Sequence, residues 1–145
     1  MIFITKMQTL HLDEAAAIES QCFSDPWSRA MLAAEVTSPN GLYVAAHDGA
    51  KLVGYAGMVR VLDEGHIHNV AVLPGYRKRG IGRALISELI ALAKKSELVI
   101  LLLEVRAGNE AAASLYQSLG FERRGVRPQY YRNPREDALL MTLKL

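Results

Sequence analysis

The chain has 145 residues, a formal net charge of +2, 50% hydrophobic and 22% charged residues, which excludes a disordered or fibrous protein and gives no general affinity for polyanions. Such a length buries roughly 68–70% of the unfolded surface, so a single domain over residues 1 to 145 is expected. The longest aliphatic run, residues 98 to 103, is far short of the ~20 residues of a membrane helix; with no secretion-signal pattern at the start and one cysteine, Cys22, this predicts a soluble cytoplasmic protein without a membrane partner.

In chain order, "IFITKM" alternates weakly and reads as a strand, and "LDEAAAIESQCF" has the apolar spacing and early acids of a helix. Ser28 caps a short second helix through Val36, and "SPNG" ends it. "LYVAAH" and "KLVGYAGMVRV", joined by Asp48-Gly49, form a hairpin, and a turn at "DEG" leads to a third antiparallel strand, "HIHNVAVL". A helix from about 80 to 95 follows, with Ile81, Leu85, Leu89 and Leu92 on one stripe and Ile86, Ile90 and Ala93 beside it. "LVILLLEV" is apolar at successive positions, as suits a buried strand reached by a parallel crossover, so residues 66 to 105 read as a βαβ unit. Asn109 caps a helix to Leu119, Gly120 takes the left-handed position after it, and strands from Phe121 and in "EDALLMTLKL" close the chain. The fold class is α+β, with one mixed sheet.

The chemical candidates start at "RKRGIGR", where Arg77, Lys78, Arg79 and Arg83 crowd around Gly80 and Gly82 at a helix's positive end. Cations are unfavourable there unless an anion joins them, and glycines let backbone amides approach a phosphate; an exposed basic turn accounts for the same residues. Neither the dinucleotide nor the phosphate-loop motif is met. Glu104 ends a buried parallel strand, where ligand crevices open, and is either a general base or a glutamate paired with Arg106 or another cation. Tyr116 lies inward with Ala112, Leu115 and Leu119, and is either a core tyrosine or a proton donor. His66 and His68 share a strand face but lack a third ligand at metal spacing, so no metal is expected. Trp27 lines an acceptor site or plugs the edge of the core, and Asp63 and Glu64 are a solvated turn or an acidic lure.

Together these segments resemble the GNAT family of N-acetyltransferases over nearly the whole chain. Arg77, Gly80 and Gly82 match its Gln/Arg-x-x-Gly-x-Gly/Ala signature, and "LLLEVRAGNEAAASLYQSLGF" is similar to its protein N-terminal acetyltransferases. "DPWS", "VLDE", "NVAV", the pair Tyr130-Tyr131 and "REDALLM" are similar to members acting on the N-terminal alanine of a small-subunit ribosomal protein. Gly108, where serine is common, and the surroundings of Pro26-Trp27 depart from the pattern. The resemblance implies a twisted mixed sheet of about six to seven strands flanked by about four helices. It implies acetyl-CoA as cosubstrate, with its pyrophosphate on the amides of residues 77 to 83 (Arg77, Lys78, Arg79, Gly80, Ile81, Gly82, Arg83), its pantetheine arm on Val70, Ala71 and Val72, and a contact from Asn109. Glu104 is implied as general base and Tyr116 as general acid, with direct transfer to a ribosomal-protein N-terminal peptide and no direct nucleic-acid partner. A small amine or a lysine as acceptor, and a non-catalytic acyl-CoA- or ribosome-binding module, are the competing readings.

Overall fold

The computed structural model describes residues 1 to 145 as β1 (Ile2–Lys6), α1 (Leu12–Cys22), α2 (Arg29–Val36), β2 (Gly41–Asp48), β3 (Lys51–Val61), β4 (Glu64–Val72), α3 (Ile81–Lys95), β5 (Ile100–Arg106), α4 (Glu110–Ser118), β6 (Glu122–Tyr131) and β7 (Glu136–Lys144). This is the expected order of elements. The strands form one 7-stranded sheet, β1-β2-β3-β4-β5-β7-β6, in which only β4 and β5 run parallel. No helix is long and apolar enough to cross a membrane.

Local chemistry accounts for most boundaries. Ser28 Oγ accepts the Met31 N–H and starts α2, and Gly120, at φ 102°, ends the α4 segment in the left-handed conformation. The turn expected at "DEG" is displaced, because Glu64 and Gly65 already pair with Val61 and Arg60. Leu62 instead takes the left-handed turn position at φ 57°. Gly65 is a packing glycine: a Cβ there would lie 2.5 Å from Leu101 Cδ2.

Both faces of the sheet are covered. Ile81, Leu85, Ile86, Leu89 and Ala93 of α3 pack with Leu101, Met141 and Tyr116 on one side; Leu12, Ala15, Ile18 and Leu32 pack with Tyr43 and Tyr55 on the other. Leu92 and Ile90 of the expected stripe are half-buried at its margin. Each fully buried leucine or isoleucine contributes roughly 1.5–3 kcal/mol, which fixes α3 and the turn before it against the sheet.

One irregularity shapes the centre. β4 and β5 pair only at Glu64↔Ile100, Gly65↔Leu101 and His66↔Leu102. Beyond that point β4 stays with β3 as far as Val72↔Gly54, while β5 stays with β7 as far as Arg106↔Ala138. The two central strands therefore part toward their C-terminal ends. The parting starts at a bulge: Met58 faces Ile67 and Gly57 faces Asn69, which leaves His68 as the extra residue of β4. Such an insertion bends a strand and increases its twist.

Candidate active site

The parted strands make a wedge with unlike walls. On the β4 wall, Leu73 N–H bonds to Val53 O of β3 (2.9 Å), so by the period of two Ala71 also turns its polar groups into the sheet. Val70 and Val72 turn theirs to the open edge. The Val72 carbonyl is already taken, by Arg77 Nε (3.1 Å) and Cys22 Sγ (3.4 Å). Of the three expected strand contacts, Val70 and Val72 offer free N–H groups on this edge and Ala71 does not.

The same wall continues into the basic turn. Lys78 (φ 64°) and Gly80 (φ 80°) both take left-handed backbone, which curls residues 78 to 83 so that none of their N–H groups has a partner within the protein. A row of free amides at a helix's positive end is an anion cradle. The side chains do less than their charge suggests. Arg77 holds the Val72 carbonyl, Arg79 lies over the Tyr76 ring (4.9 Å), and Arg83 donates to Ser118 Oγ (2.6 Å), which ties α3 to α4. Lys78 alone among these cations has no protein partner. The Ile81 side chain is in the core, so only its amide faces the cradle, and a Cβ on Gly82 would touch Leu115 at 3.5 Å. Asn109 Oδ1 caps α4 by accepting Ala112 N–H (3.1 Å), which leaves its amide nitrogen free.

The β5 wall is built from side chains. Glu104 lines a cleft of ≈ 190 Å³ with His66, Ile67, His68, Arg127, Tyr130 and three leucines. Its Oε1 lies 3.2 Å from Arg127 Nε. The expected alternative partner, Arg106, is engaged elsewhere: it donates to Arg132 O, Pro134 O and Glu136 Oε1 and lies over the Tyr131 ring, clamping the β6–β7 turn. Tyr116 is buried, edge-on to Phe121 (5.7 Å). Burial pushes its phenol up to about 12, so it is a protonated donor at neutral pH. Every enclosed side-chain polar atom has a partner, and the Tyr116 hydroxyl has none within the protein, so it opens on accessible space. Tyr131 stands between the two candidates: burial first, then the charge of Glu104, pushes it up to about 12, and Tyr116 adds to the shift. The Glu104 carboxylate near the Tyr130 hydroxyl, and then burial, raise the pKa of that phenol.

Further residues at the mouth were not singled out from sequence. Glu35 of α2 accepts from His68 Nδ1 (2.8 Å) and from the Tyr43 hydroxyl (2.6 Å), and Asn69 Nδ2 donates to the same hydroxyl (2.9 Å). Burial, and then the bond to Glu35, pushes the Tyr43 phenol far up, so it acts as a fixed donor. Trp27 tilts against His68 at 6.0 Å; its N–H donates to buried Glu19 (3.0 Å), which also receives the Tyr55 hydroxyl. Trp27 thus packs on the edge of the α1–α2 core, with its ring tilted toward His68 and its backbone anchored by Glu19. Arg127, Glu35 and Tyr43 carry no local motif, since Arg127 and Tyr43 arrive through the sheet register and Glu35 through the packing of α2 on the sheet.

Known proteins share this fold. The chain is 43% identical to an N-alpha-acetyltransferase, RimI, of Mycobacterium tuberculosis, over 87% of this chain and 82% of that one. It is 38% identical to a ribosomal protein bS18-alanine N-acetyltransferase of Escherichia coli, over 98% and 97%. The crystal structure of an Escherichia coli enzyme of that name superimposes with a TM-score of 0.93, covering 99% of this chain and 94% of that one. A longer Mycobacterium leprae protein, of which the chain spans 40%, is 41% identical to it. Residues 12–121 match the Acetyltransferase (GNAT) family. A family match over most of the chain, relatives about two-fifths identical across nearly its full length and a superimposable crystal structure agree: the chain belongs to the GNAT acetyltransferase family.

Proposed function

We propose that the protein transfers the acetyl group of acetyl-CoA directly to the α-amine of an N-terminal alanine on a ribosomal protein. The observation that carries this reading is the wedge, with unpaired amides on one wall and Glu104 on the other. The names of the Mycobacterium tuberculosis and Escherichia coli relatives support the acceptor class.

Acetyl-CoA fits the first wall: its pyrophosphate suits the amides of residues 78 to 83, with Lys78 adding charge, and its pantetheine arm suits the free N–H groups of Val70 and Val72. When bound it supplies an acetyl group activated as a thioester. Glu104 takes a proton from the incoming ammonium, directly or through water. A free N–H on the open edge of β4 faces the place where negative charge develops on a carbonyl oxygen. Tyr116 holds its proton for a leaving group. An α-ammonium loses its proton near 7.7–8.0 and a lysine near 10.4, so the same base frees the α-amine at a cost roughly 3.5 kcal/mol lower. No covalent enzyme intermediate is needed, and Cys22 serves the fold by its bond to Val72 O.

The test is acetyl transfer, read by mass spectrometry, to an alanine-initiated basic peptide and to the same peptide with its α-amine blocked and its lysines free. Modification confined to the first supports the assignment; equal rates on both overturn it in favour of a lysine acceptor.

A further inference from the structure

The ion pair across the cleft involves the group that the proposed reaction needs free. Glu104 is the only carboxylate lining the cleft, and Arg127 Nε stands 3.2 Å from its Oε1. An arginine stays charged at any working pH. An acceptor ammonium approaching Glu104 therefore meets a cation already in place.

Arg127 is placed to leave. Its side chain is 55% exposed against 26% for Glu104, so the arginine is the outer partner and moves into water without opening the core. Unlike Arg106, with its three hydrogen-bond acceptors, Arg127 is held by no aligned hydrogen bond: its neighbours are the Glu104 carboxylate, as an ion pair, and the Tyr130 ring at 5.9 Å. It sits on the sheet's edge strand at the last regular pair, Arg127↔Ala138, before the β6–β7 register shifts. The second carboxylate at the mouth, Glu35, is held by His68 and Tyr43 and offers it no alternative.

We propose that Arg127 is a resident counter-ion of the acceptor site. It neutralises Glu104 between turnovers, yields the carboxylate to the acceptor's α-ammonium, and returns when the product is formed. The charge balance makes the exchange directional: an ammonium and a thioester become a neutral amide, a thiol and one released proton. Substrate thus competes with Arg127 for Glu104 as a cation, whereas the product amide has no charge with which to compete. This rests on the reading of Glu104 as the group facing the acceptor amine.

The test is calorimetric titration of wild type, Arg127→Gln and Arg127→Lys, each saturated with coenzyme A, with an alanine-initiated peptide and with its Nα-acetylated form. At pH 6.5 the α-amine is an ammonium. Arg127→Gln is expected to tighten the free-amine peptide by about fivefold, the upper range for an exposed ion pair, and to leave the acetylated peptide unchanged. Arg127→Lys is expected to retain the wild-type ratio of the two affinities. Arg127→Met, which keeps much of the side chain's length without its charge, repeats the test should the glutamine variant fold poorly. An equal change for both peptides, no change, or weaker binding of the free amine would overturn the proposal. If Glu104→Gln keeps full turnover, the base assignment falls first; if it loses turnover while the affinity ratio ignores Arg127, only the counter-ion role falls.

Discussion

The two walls of the wedge are made in different ways. The β4–α3 wall is almost entirely backbone: amides freed by two left-handed residues at positions 78 and 80, and by the strand edge that β5 leaves uncovered. The Glu104 side is almost entirely side chain, contributed by α2, β5, α4, β6, β7 and the first half of β4, residues 66 to 68, ahead of the strand's free edge. A backbone site tolerates changes of side chain and depends on conformation; a side-chain site tolerates changes of backbone partner and depends on the chemistry of single atoms. Substitutions should therefore sort by wall, with turnover lost on one and coenzyme affinity on the other.

Glu104→Gln is the largest expected effect. It keeps the side chain's size and removes the base, so turnover with an alanine-initiated peptide should fall by ~10²–10⁴-fold, the usual contribution of a positioned general base. Affinity for acetyl-CoA, measured by calorimetry, should hold within about twofold, or ~0.4 kcal/mol. Parallel loss of both quantities would break the division between the walls.

That division also explains what was legible in the sequence. The cradle is legible because glycine is a local signal: Gly80 sits at φ 80°, a backbone conformation that other residues rarely adopt. The helix stripe of α3 and the caps Ser28 and Asn109 were likewise visible, each being set by residues a few positions apart. Glu104 could be located by its place after an apolar strand, but not its partner. Arg127 reaches it through the β5-β7-β6 order, and β6 is exposed at nearly every position, so no alternation marks its register. The turn that "DEG" predicts is displaced for a related reason. Gly65 looked like a turn glycine, whereas tertiary contact with Leu101 is what requires it.

Two glycines sharpen the comparison at intermediate scale. Gly57 lies on β3 beside the bulge, and a Cβ there would stand 2.0 Å from the Tyr43 ring. Gly57→Ala must displace the tyrosine that holds Glu35 and Asn69, so it is expected to cost about 1–3 kcal/mol of stability, as overpacking a core does. It should also impair peptide use more than coenzyme binding. At Gly80 no atom lies within 4 Å of a Cβ and the constraint is conformational. Gly80→Ala should cost roughly 1–2 kcal/mol, the penalty of a left-handed alanine, paid mainly as weaker acetyl-CoA binding. Urea melts and coenzyme titrations on the two variants separate a steric glycine from a conformational one; similar coenzyme losses in both would show that the walls do not act separately.

The smallest effect concerns neither wall and sets the acid limit within which they can be compared. His11 is buried beside His47, with ring centroids 5.1 Å apart, and its Nδ1 accepts the Gln8 N–H at 3.0 Å, which requires a neutral ring. Burial, and then His47, lowers its pKa from 6.5, while Glu14 opposes the shift weakly. An unfolded chain therefore binds a proton at His11 more readily than the folded one does. Stability from this site is fully present above pH 6.5 and is lost as pH falls from there toward the lowered folded value, because ∂ΔG/∂pH is positive wherever the unfolded state holds more protons. The melting temperature should drop between pH 7.5 and 5. His11→Asn, whose side-chain oxygen can still accept from Gln8 without titrating, should remove that part of the slope. An unchanged slope in His11→Asn would assign the acid sensitivity of the fold to other groups.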